Sequence, residues 1–198
     1  MKTDYFNTYI ANCYSKSHHG ILFNQMGLTN IGVELGTFEG LQAWFILNRW
    51  AGKKLYTIDA YSQQDVTINK DYDPDMNRDE KGQTEAYNIA FNRLKPFGDR
   101  VEMIRAFTHD ASFFFKDDSL DFVYVDANHT YDAVIQDMTD WYSKIKLGGL
   151  LLGDDYDSPN HQDVIDAVND WTDNMKIPYC NGPYGEPMGA HNQWYIIK

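Results

Sequence analysis

Residues 31–40 read Ile-Gly-Val-Glu-Leu-Gly-Thr-Phe-Glu-Gly (IGVELGTFEG). A short apolar run of β character reaches an acidic residue, Glu34. The turn Gly36-Thr37-Phe38-Glu39-Gly40 follows, and then a helical pattern begins. A strand that feeds a glycine turn and a helix brings bare backbone N–H groups and a helix N-terminus up to a ligand, and glycine permits close approach. Glu34, at the strand end, can accept hydrogen bonds from a ribose or an amine. The spacing is Glu-x-Gly-x-x-x-Gly, which differs from the Gly-x-Gly-x-x-Gly of dinucleotide-binding units. A purely structural turn fits the same residues, because many βα turns carry two glycines.

Outward from this stretch, strands alternate with helices. Residues 3–14 are predicted helical, with Tyr5, Phe6, Tyr9, Ile10 and Cys13 on one face. Strands are predicted at 31–35, Lys54–Ile58, Val101–Arg105, Asp121–Val125, Leu150–Leu152 and Trp194–Ile197, with a weak one at Ile177–Tyr179. Helices are expected from the glycine turn to Trp50, with Leu41, Trp44, Phe45 and Leu47 inward, and over 84–95, Asp110–Phe115, Tyr131–Ile145 and Gln162–Asn174. Strands separated by helices imply βαβ crossovers and a mostly parallel sheet. A Gly/Pro-rich link before Trp194 suits a closing antiparallel strand. The expected fold is therefore α/β and Rossmann-like: a doubly wound, seven-stranded sheet with only the last strand antiparallel and helices on both faces. One domain spans 1–198, with an N-terminal helical segment at 1–29 and an acidic loop insertion at 61–82. That insertion is either a substrate lid or a solvated loop.

The composition narrows the partners. With 198 residues, 43% hydrophobic and 23% charged, the chain is expected to be globular. A net charge of −12 argues against nucleic acid or an anionic membrane surface. No run approaches the roughly 18 apolar residues of a membrane span, and no signal peptide is visible. Cys13 and Cys180 lack metal-type spacing and are expected to be reduced thiols of a cytoplasmic protein. A small-molecule substrate fits these limits, and a homo-oligomer is compatible with them.

Every strong strand except the third ends in a carboxylate: Glu34, Asp59, Asp126 and the pair Asp154-Asp155. In a parallel sheet these ends share one rim, where ligands bind. Any one of them alone could be a helix cap. Asp59 lies one strand from the glycine turn, at the distance where an acidic group takes both hydroxyls of an adenosine ribose.

The segments VELGTFEG, LYTIDAY and LDFVYVDANHTYDAVIQDMTDWYSKIKLGGLLLGDDY resemble the class I S-adenosylmethionine-dependent methyltransferases. The nearest branch is the small bacterial O-methyltransferases that include macrolide-sugar methyltransferases, and catechol-type enzymes are more distant. The resemblance covers about residues 30–175 and is most specific from Asp121 to Tyr156. It implies that Glu34, Gly36 and Gly40, with Thr37 and Phe38 between them, hold the methionine end of S-adenosylmethionine. It further implies that Asp59, beside Ala60, binds the ribose, that Ala106 and Phe107 lie by the adenine, and that Asp126 borders the cofactor.

Asp126, Asp154 and Asp155 offer three hard oxygen ligands, a set suited to Mg²⁺ or a similar divalent cation. Such a cation lowers the pKa of a substrate hydroxyl. His129, three residues after Asp126, stands at the mouth of the same site as a candidate base. Many relatives of unassigned function carry Gly-His-Asp-Tyr where this chain has Gly153-Asp154-Asp155-Tyr156; the Asp-Asp form resembles the metal-dependent members. The alternative is that Asp155 caps the next loop and His129 bonds locally. His18 and His19 are expected to be a solvated pair, and Phe113-Phe114-Phe115 to pack in the core. Tyr156, Tyr184 and His191 lie on loops within reach of a substrate. The expected activity is O-methyl transfer to a hydroxyl of a small molecule, with a sugar or glycoside as one acceptor class. The rivals are a non-catalytic cofactor-binding scaffold, a metal-independent methyltransferase and a nicotinamide-dependent reductase, the last disfavoured by the missing Gly-x-Gly.

Overall fold

The computed structural model of the protein describes residues 16–62, 78–158, 160–181 and 193–198. Seven strands run in chain order: β1 (Ile31–Leu35), β2 (Lys54–Asp59), β3 (Val101–Arg105), β4 (Leu120–Val125), β5 (Ile145–Gly153), β6 (Cys180–Asn181) and β7 (Trp194–Ile197). The helices are α1 (His19–Gln25), α2 (Leu41–Arg49), α3 (Glu80–Leu94), α4 (Thr108–Ser112), α5 (Tyr131–Tyr142) and α6 (Gln162–Met175). The sheet order is β3-β2-β1-β4-β5-β7-β6. β1 to β5 pair in parallel, and β7 runs antiparallel to β5. These six strands make the body of the sheet, and the two-residue β6 adds a short antiparallel pairing on β7. The chain travels from β1 outward to β3, then returns to β4 on the other side of β1. That reversal opens a crevice at the carboxyl ends of β1 and β4.

The central strands are apolar because both faces are covered. All six residues of β4 are buried. On one face, Val33, Val123 and Leu151 pack with Val134, Met138 and Trp141 of α5 and Val164, Val168 and Trp171 of α6. On the other, Leu55, Phe122 and Tyr124 pack with Leu22 and Phe23 of α1 and Ile46 and Leu47 of α2. Phe122 stacks on Phe23 at 3.8 Å and meets the edge of Trp50 at 5.1 Å. Gly32 makes room for that ring, since a Cβ there would lie 2.1 Å from it. Truncating Phe122 to alanine should cost about 3–5 kcal/mol.

Several expectations are corrected. Leu47 is buried as expected, but Leu41 and Trp44 are 51% and 38% exposed, and α2 buries Ala43 and Ile46 in their place. Both stripes are apolar, so periodicity could not choose between them. Helix α3 starts at Glu80, four residues early, because Asp79 caps it by accepting the Gly82 N–H at 2.8 Å. Helix α5 ends at Tyr142, and Ile145 opens β5. Gly148 and Gly149 thus lie inside a long irregular strand, where Gly148 N–H donates to the Lys198 carbonyl at 2.7 Å. The short strand predicted at Ile177–Tyr179 forms at Cys180–Asn181. Phe113 and Phe114 are exposed, and only Phe115 packs, against Tyr56 and Trp141. Helix 3–14, most of the 61–82 insertion, Cys13, Tyr184 and His191 lie outside the described residues.

Candidate active site

A lateral run of backbone hydrogen bonds lines up the carboxyl rim. Ala106 N–H donates to the Asp59 carbonyl at 3.2 Å, Gly36 N–H to Ile58 at 2.8 Å, Asp126 N–H to Leu35 at 2.9 Å and Asp154 N–H to Val125 at 3.3 Å. The candidate residues therefore stand in one row across five strands, in the order Ala106, Asp59, Gly36, Asp126, Asp154. The row has two halves of different chemistry.

The first half is the glycine turn and Asp59. Gly36 and Gly40 adopt φ of 83° and 73°. A Cβ on Gly36 would lie 1.8 Å from the Asp126 carbonyl oxygen, so only glycine lets the β1 turn pass under the end of β4. Phe38 and Tyr61 are left-handed as well, at φ of 47° and 45°. The Asp59 carboxylate holds both: Oδ2 accepts the Phe38 N–H and Oδ1 the Tyr61 N–H, each at 2.8 Å. Tyr61 closes the loop by donating its hydroxyl to the Phe38 carbonyl at 2.7 Å. Burial raises the pKa of Asp59 and outweighs these N–H bonds and Arg105, which lower it. A third backbone N–H, from Thr37, reaches the same carboxylate, so its acceptor capacity is largely used and about one position remains for a ligand hydroxyl. Glu34 and Thr37 are buried under the turn, Ala60 is half-buried, and Phe107 is 62% exposed at the far end.

The second half joins the ends of β4 and β5. Asp154 and Asp155 are buried. One carboxylate oxygen from each of Asp126, Asp154 and Asp155 lies within 4.8 Å of the others. His129 Nε2 is 3.1 Å from Asp155 Oδ2 and 3.6 Å from Asp126 Oδ1. The sequence-predicted base and carboxylates thus meet in one cluster. Asn128 shapes the loop that carries His129, its side-chain oxygen accepting the Thr130 N–H at 2.9 Å. Asp155 has a φ of 60°, in the left-handed region that Asp enters more readily than most residues with a side chain.

His161 is the residue that sequence reading missed. Successive turns carry the chain to it: Ser158 N–H donates to the Asp155 carbonyl at 3.2 Å and His161 N–H to the Ser158 carbonyl at 3.0 Å. Its ring stacks on His129 with centroids 4.1 Å apart and planes 15° from parallel. Its Nδ1 is 3.5 Å from Asp155 Oδ2. The only sequence signal was a histidine six residues beyond Asp155, at the entry to α6. His19, expected in solvent, is fully buried. Its Nε2 is 2.7 Å from Gln193 Oε1, and its Nδ1 is 2.9 Å from Gln42 Nε2. Tyr156 turns away from the rim and bonds Asn169 at 2.8 Å. Burial pushes the Cys180 thiol up to about 12, which keeps it an inert free thiol.

Residues 33–156 match the model of a methyltransferase domain, and the chain belongs to that family. Protein R132 of Acanthamoeba polyphaga mimivirus is 28% identical over 144 residues, which are 69% of this chain and 57% of that protein. The chain thus spans little more than half of that relative's length. Among solved structures, the O-methyltransferase from Bacillus cereus in complex with S-adenosylhomocysteine superposes with a TM-score of 0.66 at 14% identity, over 92% of this chain and 80% of that one. The O-methyltransferase NovP gives 0.65 at 16% identity, over 97% and 78%. TomG from Streptomyces achromogenes, in complex with S-adenosylmethionine, gives 0.62 at 15% identity, over 92% and 79%. At these identities the superpositions establish the shared Rossmann-like fold.

Proposed function

We propose that this protein is an S-adenosylmethionine-dependent O-methyltransferase acting on a hydroxyl of a small molecule, with a sugar or glycoside as the acceptor class. One observation carries this: the rim sets a ribose-type carboxylate and a glycine turn directly beside a carboxylate–imidazole cluster. The family match and the cofactor-bound neighbours support it. Bound S-adenosylmethionine supplies an electrophilic methyl group, and a divalent cation lowers the pKa of the acceptor hydroxyl. The oxygen set Asp126, Asp154 and Asp155 suits a hard cation such as Mg²⁺. The glycine turn and Glu34 take the methionine end, Asp59 the ribose, and Ala106 and Phe107 the adenine edge.

His129 accepts the hydroxyl proton as the oxygen–carbon bond forms and the carbon–sulfur bond breaks. The Asp155 carboxylate at 3.1 Å stabilises the imidazolium that results. Most of the remaining acceleration is positioning. The same Asp155–His129 pair would support a metal-independent transfer, and chelation separates the two routes. Substrates in this proposal are small molecules rather than nucleic acid, in keeping with the net charge of −12. Among the described residues, no helix is long and apolar enough to cross a membrane. The test is a hydroxylated-substrate screen that detects S-adenosylhomocysteine release. Turnover with a glycoside is the expected result, and cofactor binding without turnover across the screen would favour a scaffold.

A further inference from the structure

We infer that His161 is a positioning residue: its ring is the plate that holds the imidazole of His129 in the plane its role as base requires. The two rings are stacked, with centroids 4.1 Å apart and planes 15° from parallel. The charged contacts of His129 fix less than this. Its Nε2 lies 3.1 Å from Asp155 Oδ2 and 3.6 Å from Asp126 Oδ1, so two carboxylates at different strand ends pull on one nitrogen. A pull on a single atom leaves the ring to swing about its broad terminal torsion. A face contact restricts that torsion. The ring plane in turn sets the direction of the nitrogen lone pair that takes a proton.

The local chain is built to present this ring. His161 occupies the N-cap of α6, where a side chain usually accepts an N–H of the first turn. Here the side chain makes no such bond. The backbone is pinned instead: His161 N–H donates to the Ser158 carbonyl at 3.0 Å, and its own carbonyl accepts the Val164 N–H at 3.1 Å. The same helix also holds the loop that carries His129. Tyr131, two residues further on, donates its N–H to Asp163 Oδ2 at 3.2 Å and its hydroxyl to Asp170 Oδ2 at 2.9 Å. Val164, Val168 and Trp171 seat α6 in the core, so plate and loop are fixed to one element. The consequence, which rests on the methyltransferase reading, is that loss of the plate lowers kcat more than it weakens binding, because a reacting group displaced by about 1 Å can lose about 10²-fold in rate.

The experiment compares the full-length wild type with His161→Ala, His161→Gln and His161→Phe, by proton–carbon NMR of the His129 ring and by steady-state kinetics on a responsive acceptor. The His129 ring protons are expected to be shielded by the stacked neighbour in the wild type and in His161→Phe, and to lose that shielding in His161→Ala and His161→Gln. The two variants without a ring should lower kcat by about 10–10²-fold, with KM for acceptor and cofactor within about threefold. His161→Phe, which keeps a ring and removes the polar atoms, should recover kcat to within about threefold of the wild type. A His161→Phe variant as impaired as His161→Ala, or a His161→Gln variant as active as His161→Phe, would overturn the plate. Should the variants fail to fold, the wild-type spectrum decides: unshielded His129 ring protons overturn the proposal, and shielded ones support it. If the shielding follows the presence of a ring while no acceptor is ever methylated, the plate stands and the proposed activity fails.

Discussion

The two halves of the rim settle their charges in opposite ways. Around Asp59, backbone N–H groups from Phe38 and Tyr61 meet the carboxylate, and the turn is held with protein donors alone. At the ends of β4 and β5, Asp126, Asp154 and Asp155 crowd together beside the imidazoles of His129 and His161. A carboxylate cluster of this kind needs a cation or protons to offset its repulsion. The cofactor half is thus preorganised, whereas the chemistry half depends on what binds there.

Chelation probes that difference hardest. Exhaustive EDTA treatment is expected to abolish methyl transfer while S-adenosylhomocysteine affinity, measured by calorimetry, stays within about twofold. Full turnover after chelation would leave His129 and Asp155 to act alone. His129→Ala should lower kcat by about 10²–10⁴-fold with cofactor affinity retained, the range for a lost general base. Steady-state kinetics on a responsive substrate reads this directly.

Gly36→Ala tests the rigidity of the cofactor half. Its left-handed φ and the 1.8 Å approach of the Asp126 carbonyl leave no space for a methyl group. The variant should lose at least about 2 kcal/mol of stability in urea unfolding. A neutral result would mean that the turn can reshape and is not preorganised.

Asp137 shows what a buried carboxyl does without a cation. It sits on α5, where burial pushes it up to about 7 against hydrogen bonding from Thr108, with Asp140 adding to the rise and His109 opposing it. The folded state then keeps a proton that the unfolded chain releases near 3.8. Stability from this group is full below about pH 4 and falls as pH rises toward 7, by up to about 1.4 kcal/mol per pH unit. Asp137→Asn should flatten that slope in thermal melts taken between pH 4 and 7.

The comparison also shows what could be read from sequence. The strands at 31–35, Val101–Arg105 and Trp194–Ile197 matched residue for residue, because short apolar runs bounded by turn residues carry their own limits. The acidic strand ends were legible because parallel topology puts all of them on one edge. His161 was not, since two local turns after Asp155 bring it back onto His129. His19 looked solvated beside His18 and Gly20, yet α1 seats it against Tyr124 and Tyr195, partners more than 100 positions away. The facing of α2 was lost for a related reason: two apolar stripes compete, and only the packed sheet chooses between them.

Ligand titration tests the central claim most directly. S-adenosylhomocysteine and NADH are each titrated into the wild-type protein and Asp59→Ala by calorimetry. The account predicts one equivalent of S-adenosylhomocysteine bound by the wild type and no binding of NADH. Asp59→Ala should weaken the nucleoside by about 1.5–3 kcal/mol, the loss of a hydrogen bond to a charged group. An unchanged affinity in Asp59→Ala, or no binding of S-adenosylhomocysteine by the wild type, would contradict the assignment of this half of the rim to the cofactor.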